Sequence, residues 1–123
     1  MSRTPQYPDT RWPAAGQGWF PALRDAALVD GQMVCVEVNG CRVLLARSAG
    51  HCYAADEMCT HEDASLCLGA LREGRVKCPL HGSWFDLADG SVYEEPATES
   101  LQIYTTRIRD GWLEICLPYS KLT

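Results

Sequence analysis

Met33-Val34-Cys35-Val36-Glu37-Val38 runs into Cys41-Arg42-Val43-Leu44-Leu45-Ala46 through Asn39-Gly40. Asn-Gly between two apolar-rich runs is a strong signal for a two-residue hairpin, because both residues accept the positive φ that matches strand twist. The register follows: Val38 faces Cys41, Glu37 faces Arg42, Val36 faces Val43 and Cys35 faces Leu44. Side chains alternate along a strand, so Val34, Val36, Val38, Cys41, Val43 and Leu45 share one face, the expected core. Cys35 and Cys41 lie on opposite faces and cannot bond to each other; both read as packed thiols.

Working outward, residues 101–109 meet 112–117 across Asp110-Gly111 in a second hairpin. Tyr104, Thr106 and Ile108 are expected on one face with Leu113, Ile115 and Leu117. On the other, Arg107 opposes Glu114, and Arg109 opposes Trp112 as a cation–π pair worth about 0.5–1 kcal/mol if exposed. Cys116 falls on this second face as a structural residue. Shorter strands are expected at 52–55, 76–77 and 83–87, with turns at Glu73-Gly74 and Asp89-Gly90. No helical period is sustained. The prediction is an all-β domain, an antiparallel sandwich or small barrel.

The chain has 123 residues with 46% hydrophobic and 22% charged, enough for one domain around a single modest core. Its net charge of −5 makes nucleic acid a poor partner, because phosphate contacts dominate that affinity. Residues 1–17 carry Pro5, Pro8 and Pro13 and read as an extended N-terminal arm, leaving 18–123 as the folded domain. The arm lacks the apolar run of a signal peptide, and the longest strongly apolar stretch, 43–46, is far too short to span a membrane. A cytoplasmic protein is expected. Seven cysteines, an odd number, argue against a framework built wholly of disulfides.

Between the hairpins stand Cys59-Thr60-His61 and, after sixteen intervening residues, Cys78-Pro79-Leu80-His81. Each is a Cys/His pair close enough to serve one metal centre from a loop, and Pro79 and Gly82 favour a tight turn around the second. Thiolate and neutral imidazole suit zinc or iron rather than calcium or magnesium. Two centres compete. Zinc would take all four residues tetrahedrally and staple the loops. A [2Fe–2S] cluster would take both cysteines on one iron and both histidines on the other.

C-x-H followed by C-x-x-H at this distance resembles the Rieske family, whose ligands would be Cys59, His61, Cys78 and His81. The alternation of cysteine and histidine favours this over zinc fingers, which usually group their cysteines. The likeness runs from about 19 to 117 and includes the Asn-Gly hairpin, Gly74 before the second loop, and Glu95-Pro96-Ala97, placed like the proline segment that covers the cluster in the family. It implies a Rieske-like sandwich with a loop-built cluster-binding subdomain holding one [2Fe–2S] cluster. Rieske subunits of cytochrome complexes carry an extra cysteine in each loop; here those places hold Ala64 and Leu80. Cys67 does not match that disulfide and reads as packing. A large oxygenase subunit would need further histidine ligands, and only His51 is left, itself expected at a surface or strand edge.

The resemblance is therefore to ferredoxins that serve ring-hydroxylating dioxygenases. It implies a one-electron carrier and not an enzyme, accepting from a flavin-dependent reductase and passing to a terminal oxygenase, as a monomer docking near His61 and His81. Glu62 and Asp63 either help dock basic partners or are plain solvated acids; Trp84 and Leu80 either shield the cluster or contact a partner, and Trp84 reads equally as a core residue. Ser83 occupies the place of a hydroxyl that raises the potential in cytochrome-type proteins, while the tyrosine place holds Phe85. Two rivals remain: a Rieske-like small subunit of an assimilatory nitrite reductase and, from another class, a zinc-stapled interaction module.

Overall fold

The computed structural model describes residues 17–61, 63–80 and 82–118. Three antiparallel sheets make up the architecture. The first joins β1 (Gln17–Arg24), β11 (Trp112–Pro118) and β10 (Thr106–Arg109) in the order β1-β11-β10. The second joins β2 (Met33–Val38), β3 (Cys41–Ser48), β4 (His51–Asp56) and β9 (Ile103–Tyr104) in the order β2-β3-β4-β9. The third is a small meander of β5 (Ala70–Arg72), β6 (Arg75–Lys77), β7 (Trp84–Asp86) and β8 (Val92–Glu94).

The β2–β3 hairpin has the expected register, from Val38 against Cys41 to Met33 against Ala46. Asn39 and Gly40 both take positive φ, as a two-residue turn requires. What differs is the number of cores. Val43 and Leu45 of β3 point into one apolar cluster with Leu113, Ile115, Leu117 and Tyr104, between the first two sheets. Leu44 and Ala46 point the other way, into a second cluster with Val76, Phe85, Leu87 and Cys78 beneath the small sheet. The run 43–46 is unbroken because β3 is covered on both faces. Burying Leu44, Leu45 and Phe85 completely contributes about 1.5–3 kcal/mol each. The middle sheet thus serves both as a wall of the sandwich and as the floor of the loop-bearing subdomain.

The second hairpin keeps its register, with Arg107 opposite Glu114 and Arg109 opposite Trp112. Arg107 Nε donates to Glu114 Oε1 at 2.5 Å, and that carboxylate is only 1% exposed. The span 101–109 is not one strand, however. It breaks at Thr105, so that β9 pairs with β4 while β10 pairs with β11. The buried Tyr104 hydroxyl donates to Asp56 Oδ1 at 2.5 Å and holds that junction; burial, then the Asp56 carboxylate, pushes its pKa up. Ile108, expected on the core face, is 53% exposed. The cation–π partner of Trp112 is Arg24, 4.9 Å from the ring centroid and directly opposite it on β1. Arg107 instead covers Trp19 at 4.1 Å.

Gln17, the last residue of the expected arm, already opens β1; residues 1–16 lie outside the described residues. The strands expected at 52–55, 76–77 and 83–87 appear as β4, β6 and β7, while β5 and β8 lie outside the expected strands; Glu73-Gly74 turns with positive φ at both residues. Cys116 is buried, and burial pushes its thiol pKa up, in keeping with a structural role. His51 is exposed at the start of β4. Among the described residues no helix is long and apolar enough to cross a membrane.

Candidate metal centre

The two Cys/His motifs occupy loops built alike. In the first, Met58 bridges Ser65, and the Cys59 N–H donates to the Ala64 carbonyl at 2.9 Å. In the second, Lys77 pairs with Trp84, and the Cys78 N–H donates to the Ser83 carbonyl at 2.8 Å. Each loop is therefore six residues closed by the same backbone bond, with its cysteine at the first position. Cys59 and Cys78 are 7% and 1% exposed and belong to the same apolar cluster. The His61 N–H donates to Cys59 Sγ at 3.3 Å, while the His61 residue itself is exposed. His81 lies outside the described residues, as does Glu62; Asp63 is exposed.

A third segment is laced across both loops. Ala97, 1% exposed, shares the apolar cluster with the two cysteines. Its N–H donates to the buried Ser83 Oγ at 2.9 Å, and the Thr60 hydroxyl donates to the Glu99 carbonyl at 2.8 Å. Ala97 and Glu99, just beyond the exposed Pro96, thus each engage a residue of one loop. The Thr60–Glu99 tie carried no sequence signal, because hydroxyl-to-carbonyl bonds join almost any loops. Phe85 is fully buried beneath the second loop, Trp84 is half-buried beside Lys77, and Leu80 is 46% exposed.

The first loop is also buttressed from below. Buried Glu57 accepts from Arg42 Nε at 2.7 Å, and its carbonyl accepts the Leu66 N–H at 2.8 Å. The Arg42 hydrogen bond holds the Glu57 carboxyl below its ordinary pKa, against the opposing effect of burial and with help from Ser65. A depressed native pKa means the unfolded chain binds more protons in acid. The contribution is therefore present above the ordinary glutamate value of about 4.3 and lost as pH falls through the lower native value. Arg42→Ala is expected to lower Tm by a few degrees at pH 7, with the difference shrinking as pH falls below about 4.3. Thermal melts from pH 3 to 7 check this; a constant difference across that range contradicts it.

Cys67 and Cys35, both expected as packed thiols, are joined in a disulfide with Cα atoms 6.1 Å apart. The odd-numbered face of β2 looks away from the first core and onto the 3-10 turn Leu66–Leu68 that follows the first loop. Facing the smaller subdomain is what brings Cys35 to Cys67.

Among the described residues no three His, Cys, Asp or Glu side chains gather tightly enough to hold one ion. A centre that divides its protein ligands two and two between irons makes no such demand. Two buried cysteines presented alike on loops, with a backbone N–H directed at one sulfur and a histidine at the surface, suit that division. The fold and the two loops define a β-sandwich domain carrying a loop-bound metal centre. The chain belongs to the Rieske [2Fe-2S] domain family, which matches residues 18–105.

It is 33% identical over 94 residues to the ferredoxin component of naphthalene 1,2-dioxygenase/salicylate 5-hydroxylase systems from a Ralstonia species, over 76% of this chain and 90% of the relative. Among solved structures it is similar to a ferredoxin of Sphingomonas yanoikuyae B1, with a TM-score of 0.76 and 29% identity, over 80% of this chain and 97% of that one. A chain from a complex of reduced oxygenase and oxidized ferredoxin in carbazole 1,9a-dioxygenase matches with a TM-score of 0.75 and 26% identity, over 79% and 91% of the two chains.

Proposed function

We propose that this chain is the ferredoxin component of a multicomponent ring-hydroxylating dioxygenase system, an electron carrier with no bond chemistry of its own. Cys59 and Cys78 would hold one iron of the cluster and His61 and His81 the other. The observation that carries this reading is the pair of matched six-residue loops, whose cysteines share one buried cluster with Ala97. When bound, the [2Fe–2S] cluster supplies a site that takes up and gives back one electron. The chain's own residues tune and shield it. The His61 N–H stabilises negative charge on Cys59 Sγ, and the segment around Ala97 keeps water from the apolar side.

Residues 17–123 act as the domain, and the preceding residues 1–16 as an arm. The protein works as a cytoplasmic monomer that takes electrons from a flavin-dependent reductase and docks on a terminal oxygenase through the surface around His61 and His81. The exposed Leu80 and Asp63 lie in those loops, giving the surface apolar and acidic contacts. Phe85 brings no hydroxyl to the site, so the potential is expected toward the low end of the family's range of about −150 to +300 mV.

Aerobically purified protein should be red-brown, contain two irons and two sulfides, and after reduction give an EPR spectrum with the low average g-value of nitrogen-ligated clusters. Colourless protein with one zinc per chain would sink the reading in favour of a stapled interaction module.

A further inference from the structure

The Cys35–Cys67 disulfide joins the main sheet to the chain just beyond the first ligand loop. Cys67 sits in the middle of the 3-10 turn Leu66–Leu68, two residues after the loop closes through Met58 and Ser65. Besides this bond, the turn is held by the Leu66 N–H on the Glu57 carbonyl, the Leu68 N–H on the Ser65 carbonyl, the Gly69 N–H on the Leu66 carbonyl, the Ser65 side chain on the Cys67 N–H, and the buried Leu66 side chain. Its outer residue, Leu68, is 77% exposed. Cys35 and Cys67 are themselves half-buried, packed against the second apolar cluster. The bond therefore ties β2 directly to the turn that follows the first loop.

We propose that Cys35 and Cys67 form a thiol–disulfide latch that governs how firmly the first loop keeps its cluster. This rests on the reading of Cys59 and His61 as ligands. The expected compartment is reducing, where a disulfide is more often a redox-responsive element than a permanent staple. Opening consumes a dithiol. Its thiolate attacks one sulfur of the pair, and its second thiol resolves the mixed disulfide. Two electrons and two protons then reside on Cys35 and Cys67, and the reagent leaves as its own disulfide. Closing runs the same exchange backwards with a small-molecule disulfide such as oxidised glutathione. Closed, the bond restricts the excursions of the turn and of the loop it terminates.

The test uses the full chain with its cluster, purified aerobically, alkylated under denaturing non-reducing conditions and mapped as peptides. A cross-linked peptide pair bearing Cys35 and Cys67 is expected; alkylation of both overturns the proposal. Cluster release to an iron chelator is then followed by visible absorbance with and without dithiothreitol. Dithiol should speed release from the wild type by about tenfold. Cys67→Ser should release at the faster rate whether or not dithiol is added, and Cys35→Ser serves if that variant does not fold. Equal rates in the wild type with and without dithiol, or a variant that dithiol still accelerates, overturn the latch. Failure of the cluster reading would show separately, as protein without the visible spectrum while peptide mapping still reports the bond.

Discussion

Cys59→Ser and Cys78→Ser, each alone, should give protein without the visible absorbance of an iron–sulfur cluster. Each replaces a thiolate at the base of a six-residue loop by a hydroxyl that stays protonated at neutral pH and binds iron weakly. The loss should exceed the ~10–100-fold typical of removing a residue that only supports a ligand. Stability should fall as well, because both sulfurs lie in the same buried cluster as Leu66, Val76 and Ala97, and metal binding is coupled to folding in such loops. Cys52→Ser is the informative control. That thiol is hydrogen-bonded to Arg47 on the main sheet and belongs to neither loop, so full iron content should remain. Iron analysis and absorbance on matched preparations decide the matter. Normal iron in Cys59→Ser would remove that residue from the site.

The parts of the fold that sequence made legible are those that local chemistry dictates. Asn39-Gly40 sets a turn whatever surrounds it, and the register of twelve strand residues follows from that dipeptide. The Cys/His spacings stand out because few other uses explain thiol and imidazole in those positions. Long-range pairing hid the rest. β1 contains Gly18 and Pro21, which blur any alternation; it is a strand because β11 offers it a partner, with a register shift between Pro21 and Leu23 that accommodates the proline. Without β1 the partner of Trp112 could only be misassigned to Arg109. The break at Thr105 was equally hidden, since 101–109 alternates well enough to pass for one strand. Cys35 and Cys67 are 32 residues apart, and the face of β2 that unites them is buried only because a second core exists.

Gly69→Ala should be severely destabilising and should also lower cluster content, although Gly69 belongs to neither ligand loop. Gly69 follows the 3-10 turn and passes so close to β6 that an added Cβ would stand 1.7 Å from the Lys77 carbonyl oxygen and 2.9 Å from its carbon. Both atoms are backbone, so no side chain can swing aside. Either the turn moves away from β6, or Lys77 moves and carries Cys78 with it. The first course strains Leu66 and the Cys35–Cys67 bond; the second displaces the base of the second loop. Overpacking a tight core typically costs about 1–3 kcal/mol, and a clash with fixed backbone belongs at or above the top of that range. Gly50→Ala separates crowding from conformation. Gly50 has φ +81 and nothing within 4 Å of an added Cβ, so its replacement carries only the left-handed backbone cost of about 1–2 kcal/mol. Denaturant unfolding of both variants, with iron content measured on each, gives the comparison. Gly69→Ala should lose more stability and, unlike Gly50→Ala, lose iron. If it keeps full iron at near-wild-type stability, the close approach of the turn to Lys77 does not position the second loop.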